Sequence, residues 1–130
     1  MKRFRNHVRL ASAIACLPLI LGASLPHVMA GPGQWEVSKT SNGAGDKLCL
    51  PDPAVLMQWE HRTKQCTRTV VTSTLDRAEV HYSCAGGGFG TSRVEVLTSR
   101  SIRIQTQGIA DKLPFGYVIH ARRVGSCAAH

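Results

Sequence analysis

Residues 66–107 carry the pattern that most restricts how this chain folds, because apolar and polar side chains alternate there in short stretches. Val80 and Tyr82 share one face of one stretch, and Ile102 and Ile104 share one face of another. A period of two predicts β-strands that bury one face, and short connections favour antiparallel pairing. The residues expected to form the buried layer are Val80, Tyr82, Val94, Val96, Ile102 and Ile104, packed against Trp35, Val37 and Trp59.

A further strand and one short helix are predicted before this region. Residues 34–40 alternate and predict the strand, and the Asn42-Gly43 pair that follows is typical of a turn. Asp52 suits the N-cap of a helix, and Pro53 suits its first position. We expect this helix to depend on packing, because it is too short to be stable alone.

The end of the chain predicts a last strand over residues 117–124, whose buried face the pattern leaves open. A longer loop from Ile109 to Gly116 is expected before it. The whole chain therefore predicts a mainly β (α+β) fold. The expected architecture is a curled antiparallel sheet of about six strands, with one short helix packed against it and disulfide bonds that stabilise it.

The first thirty residues have the layout of a secretory signal peptide. A basic start is followed by an apolar run over residues 10–25 and by Val28-Met29-Ala30, which ends on a small residue. This predicts a signal peptide over residues 1–30, cleavage between Ala30 and Gly31, and a single periplasmic domain over residues 31–130 with no membrane span. Two alternatives stay open, a lipoprotein signal ending at Cys16 and an uncleaved membrane anchor.

Four cysteines remain after such a cleavage, namely Cys49, Cys66, Cys84 and Cys127. An even number in an oxidising compartment predicts two disulfide bonds. Their separations of 17, 18 and 43 residues lack the close pairs of a structural zinc site. We favour the pairs Cys49–Cys66 and Cys84–Cys127, and the competing pairs are Cys49–Cys84 and Cys66–Cys127.

The positive charge of the chain is partly a property of its first thirty residues. The formal charge is +8, but residues 31–130 keep twelve basic and eight acidic side chains and a charge of +4. This charge alone does not indicate a nucleic-acid-binding protein. If the last two strands pair, Arg103 and either Arg122 or Arg123 would share a face, and Arg100 lies close by in the sequence. That face would form a small anion-binding surface, with a solvated polar face as the simpler alternative.

No catalytic, cofactor-binding or metal-binding residue is predicted, and no cofactor is expected. The glycines of residues 86–90 precede a predicted strand, which favours a flexible hairpin over a phosphate-binding loop. The histidines of residues 31–130 have no metal-ligand spacing, and no hydrolase or protease motif is present. They are His61, His81, His120 and His130.

The order of these landmarks resembles a family of bacterial exported proteins, domain of unknown function 3617. The features that carry the resemblance are Gly33-Gln34-Trp35-Glu36-Val37, Cys49, Cys66, Cys84 and the closing residues 121–127, which end in Gly125-Ser126-Cys127. The resemblance spans residues 33–127 and implies a periplasmic β-rich domain. It implies no activity and no catalytic residues.

Three functions follow as hypotheses. The leading one is a non-enzymatic module that binds a small molecule within the curled sheet or an envelope partner. An apolar pocket would favour the small molecule. The second is an enzyme using His120 or His81, which convergent histidine, serine and acidic groups would favour. The third is a structural envelope protein whose arginines contact anionic lipid or cell-wall groups, which a flat basic face would favour.

Overall fold

A computed structural model describes residues 24–128 of the chain and contains one antiparallel sheet of seven strands. The strands are β1 (Gly33–Ser38), β2 (Asp46–Leu50), β3 (Cys66–Ser73), β4 (Arg77–Cys84), β5 (Phe89–Val96), β6 (Ser101–Ala110) and β7 (Leu113–Gly125). Their order across the sheet is β2-β1-β7-β6-β5-β4-β3. Two 3-10 helices span His27–Met29 and Pro53–His61. The mainly β, antiparallel fold with a short packed helix is confirmed, with seven strands instead of about six.

The additional strand is β2, which pairs with β1 and places Leu48 opposite Trp35. Leu48 and Leu50 face the core, and Leu50 is buried. The alternation is only five residues long and lies between a turn and a proline, so the sequence pattern is weak there.

The predicted helix is present but is a 3-10 helix, and its turns are interrupted at Gln58. The Asp52 side chain accepts a hydrogen bond from the backbone N–H of Ala54 at 3.0 Å, as expected for the N-cap. Nine residues form too few hydrogen bonds to hold an isolated helix. Burial of Leu56 and Met57 against the sheet therefore fixes this segment.

The predicted loop from Ile109 to Gly116 is wrong, because β6 and β7 continue through most of it. They are joined by the two residues Asp111 and Lys112, which have φ angles of 49° and 66°. Two residues with positive φ match the twist of a tight hairpin, and aspartate tolerates this conformation. Lys112 gives no such signal, so the turn is hard to recognise from the sequence.

The predicted strand phases are confirmed. Eight of the nine residues expected in the buried layer are buried, and Val96 packs against them half-buried. The open phase of β7 is resolved, since Ile119 and Ala121 face the core while His120 and Arg122 face outward. The helix Pro53–His61 covers the inner face of the sheet, and the opposite face is here called the outer face.

All four expected cysteines form disulfide bonds, but both pairings considered from the sequence are wrong. The bonds join Cys49 to Cys127 and Cys66 to Cys84. Cys66 and Cys84 lie directly opposite each other on β3 and β4. Cys49 lies on β2, whose neighbour β1 also pairs with β7, so Cys49 comes close to the end of the chain. The pairing could not be inferred without β2.

Residues before the predicted cleavage point also pack against the domain. A signal peptide over residues 1–30 predicts that these residues pack little against the domain. This prediction is wrong for residues 24–30, and residues 1–23 lie outside the described part of the chain. Met29 is 4% exposed and belongs to the core, and Leu25 and Val28 pack against that core.

Candidate functional site

The inner side of the curled sheet is a packed core. Trp35, Leu56 and Met57 are fully buried between the sheet and the helix Pro53–His61. A ligand cavity within the curl was one expectation of the leading hypothesis. Four concave spaces of about 320 to 450 Å³ in residues 24–128 are instead grooves that open to the surface.

A buried polar cluster lies beneath the helix. The His61 ring is 1% exposed, and its Nδ1 lies 3.0 Å from the Tyr82 hydroxyl. Nearby, the hydroxyl of Ser92 donates a hydrogen bond to the hydroxyl of Thr106 at 2.8 Å. Buried polar groups are costly without partners, so these pairs make a polar core possible. Nothing in the sequence neighbourhood of His61 indicates its burial.

The glycine stretch closes over this cluster. A Cβ atom at Gly88 would collide with Nε2 of His61, and the φ angle of Gly88 is +91°. Nε2 has no hydrogen-bond partner within residues 24–128. The expected hairpin between β4 and β5 is confirmed. Its Gly88 also leaves room for the imidazole of His61.

Burial changes the titration of both tyrosines of the chain. It raises the pKa of Tyr82 to about 12. Burial is also the largest cause that raises the pKa of Tyr117, and its hydroxyl donates a hydrogen bond of 2.6 Å to the Glu60 carboxylate. The ammonium of Lys39 lies 4.4 Å from the centre of the Tyr117 ring. Lys39, Glu60 and Tyr117 border a charged groove of about 330 Å³ on the helix side of the sheet.

We expect the phenolate absorbance of the folded protein to rise at much higher pH than that of the denatured protein. The chain has two tyrosines, and the unfolded ones should titrate near pH 10. Because the folded state retains these protons, the free energy of unfolding should fall as pH rises above about 10. Ultraviolet titration with and without guanidinium measures both effects. A folded protein that titrates near pH 10 would contradict the burial of Tyr82 and Tyr117.

Cross-strand ion pairs follow the outer face of the sheet. Each of its three glutamates lies directly opposite an arginine on the next strand. The N–O distances are 2.6 Å for Arg93–Glu79, 3.2 Å for Arg77–Glu95 and 3.5 Å for Arg122–Glu36. The hydrogen bond from Arg93, followed by that from His81, lowers the pKa of Glu79.

Basic side chains outnumber acidic ones on this outer face. Glu36 lies between Arg122 and Lys47, and Glu95 lies between Arg77 and Arg103. Within residues 24–128, neither Lys47 nor Arg103 has a carboxylate oxygen within 4 Å. The strands therefore present five cations and three carboxylates outward.

One groove on this surface has an entirely basic charged lining. It has a volume of about 320 Å³ and is lined by Lys47, Arg100, Arg122, Arg123 and Val124. The guanidinium of Arg123 lies on the opposite face, so the charges available to this groove are those of Lys47, Arg100 and Arg122. Lys47 belongs to β2 and Arg122 to β7, and β1 lies between them. Guanidinium groups suit bidentate contact with phosphate or carboxylate, so an anion fits this groove. The groove is hereafter called the basic groove.

The arginines suggested by the sequence separate into two groups. β6 and β7 pair, and Arg103 and Arg122 share the outer face as expected. Arg123 directs its guanidinium to the opposite face, where it lies 4.9 Å from the centre of the Trp35 ring. Lys47 was missed because its strand was missed.

The histidines considered for catalysis lie on the outer face. His81 contacts the carboxylate of Glu79 at 3.1 Å. His120 lies opposite Arg103 on β6 and Ser38 on β1, beside a groove of about 450 Å³. Within residues 24–128, the ring of His81 forms a side-chain hydrogen bond to the Glu79 carboxylate, and neither His81 nor His120 forms one to a serine or threonine hydroxyl. His130 lies outside the described residues.

Two further properties concern the described part of the chain. Within residues 24–128, no three histidine, cysteine or acidic side chains are grouped so that they would hold a metal ion. The same residues include no helix with the length and apolar character needed to cross a membrane.

Residues 30–127 match a protein family that is described as "Protein of unknown function (DUF3617)". Since the match covers most of the chain, the chain belongs to this family, as its sequence landmarks suggested. No curated protein and no solved structure matches the chain.

Proposed function

We propose that this chain is an exported, non-enzymatic binding domain whose partner is a phosphate-bearing surface of the bacterial envelope. The observation that carries the proposal is the basic groove, whose charged lining is formed by cations alone. The proposal also rests on the excess of cations over carboxylates on the strands of the outer face.

The distribution of charge supports a surface as the partner. Lys47, Arg103 and Arg100 are spread over the outer face and its edge instead of meeting at one point. In the described residues, the helix Pro53–His61 packs on the other face of the sheet. A broad, weakly basic face attracts an anionic surface through several contacts of about 1 kcal/mol each.

Export to the periplasm is part of the proposal. The basic start and apolar run of residues 1–25 support a signal peptide, and the two disulfide bonds suit an oxidising compartment. Processing between Ala30 and Gly31 is the site that the sequence pattern favours. We propose no cofactor and no nucleic acid as partners.

Vesicle co-sedimentation tests the proposed partner. The protein should bind phosphatidylcholine vesicles that contain phosphatidylglycerol, should not bind pure phosphatidylcholine, and should dissociate as salt screens the charges. The triple variant Lys47→Gln, Arg100→Gln, Arg103→Gln should bind about 100-fold more weakly, because it lacks three contacts of about 1 kcal/mol.

A control variant with the same net charge separates the outer face from overall charge. Lys39, Lys64 and Lys112 are exposed, and they lie beside Tyr117, after the helix Pro53–His61 and in the β6–β7 turn. Replacing these three with glutamine should leave binding nearly unchanged. Equal losses in both triple variants, or wild-type binding to neutral vesicles, would contradict the proposal.

A further inference from the structure

The Arg123 side chain holds the segment that precedes β1. Its guanidinium donates hydrogen bonds to four backbone carbonyls of residues 28–32. The distances are 2.9 Å to Val28, 3.0 Å to Ala30, 3.4 Å to Gly31 and 3.0 Å to Pro32. Backbone carbonyls that accept from a charged donor form stronger hydrogen bonds than neutral pairs do. One side chain therefore fixes the path of residues 28–32.

The start of β1 is shaped to admit this guanidinium. A Cβ atom at Gly33 would collide with a terminal nitrogen of Arg123, so a side chain there would displace the arginine. On the other side, the guanidinium lies 4.9 Å from the centre of the fully buried Trp35 ring. Gly33 and Trp35, at the start of β1, thus enclose the guanidinium of Arg123.

Apolar side chains of the same segment enter the core. Met29 is 4% exposed, Pro26 is buried, and Leu25 and Val28 pack against the core cluster. The contacts of this segment with the core thus include Leu25 and do not stop at Gly31.

Cleavage between Ala30 and Gly31 would remove much of this arrangement. Arg123 would lose the carbonyls of Val28 and Ala30, and the core would lose Met29. The new α-ammonium group would also form on Gly31, whose carbonyl already contacts the guanidinium at 3.4 Å. Like charges near each other repel, so a new positive charge on the residue whose carbonyl accepts from Arg123 would weaken the hold on this end of the chain.

We propose that residues Leu25–Pro32 belong to the mature domain and that the leader is cleaved between Ser24 and Leu25. Gly22 and Ser24 place small residues at the third and first positions before this bond, which is the pattern that signal peptidases recognise. The inference rests on the proposed export, and it moves the processing site upstream of the one that the sequence alone favoured.

The intact mass of the exported protein tests this site. The full chain is expressed in a Gram-negative host and recovered from the periplasm, and its mass should correspond to a chain that begins at Leu25. A mass that begins at Gly31, or at any residue after Leu25, overturns the inference but leaves the proposed export intact. A mass that retains Met1 overturns both.

Two substitutions within the segment give an independent test on the same exported protein. Met29→Ser should lower the melting temperature by about 10 °C, because it removes a buried side chain from a small domain. His27→Ser is the matched control, since His27 is exposed in the same short helix and should leave the melting temperature unchanged. Equal melting temperatures for wild type and both variants would show that the segment is absent from the mature protein.

Discussion

Replacing both Cys49 and Cys127 with serine should lower the free energy of unfolding by about 4.5 kcal/mol. The bond joins residues 78 positions apart, and the entropy gained by the unfolded chain grows with the length of the loop that is opened. It also connects β2, at the edge of the sheet, to the chain that follows β7. Urea unfolding without reductant measures the loss.

The second disulfide bond provides the comparison for this prediction. Cys66 and Cys84 are separated by 18 positions, and the same relation gives about 3 kcal/mol for their double serine variant. We therefore expect the Cys49/Cys127 variant to be the less stable of the two. Four free thiols in the exported protein, or the opposite order of stability, would contradict the assigned pairs and their roles.

Gly108→Ala should lower the free energy of unfolding by about 3 kcal/mol, at the upper end of the cost of overpacking. Gly108 lies opposite Gly90 on the neighbouring strand. A Cβ atom at Gly108 would collide with the Phe89 carbonyl oxygen and would lie 2.6 Å from the Gly90 Cα atom. Because both are backbone atoms, relief requires β5 and β6 to separate locally.

Gly116→Ala is the matched control for this substitution. Gly116 lies on β7, and a Cβ atom there would meet its nearest neighbour, the Gln107 Cβ atom, at an ordinary 3.8 Å. The variant should therefore unfold at nearly the wild-type denaturant concentration. Equal stability of both variants would contradict the close approach of β5 and β6 at Gly108.

The sequence predicted the central strands well because their alternation is long and one-sided. The side chains of Val80, Val94 and Ile104 each continue a run of residues with period two, and a shift of one residue would expose all of them. Short or polar elements were harder to predict from the sequence. β2 has five residues, and the tight turn at Asp111 and Lys112 lacks the usual glycine.

The sequence predicted the candidate site only where the site depends on strands that follow each other along the chain. Arg103 and either Arg122 or Arg123 were expected on one face because adjacent strands usually pair, and the structure places Arg122 there. Lys47 joins them through β2 and β1, and a sequence pattern does not show which strands become neighbours across the sheet. The contact between His61 and Tyr82 is likewise tertiary, because the two residues are 21 positions apart.

Chemical-shift mapping tests most directly whether the outer face binds anions. A soluble short-chain phosphatidylglycerol is titrated into the isotope-labelled exported protein, and backbone amide shifts are followed by nuclear magnetic resonance. We predict that shifts concentrate at the amides of Lys47, Ser101 and Arg122, while those of Glu60 and Tyr117 on the helix side stay unchanged. Shifts centred on Glu60 and Tyr117, or none at the basic groove, would contradict the proposed function.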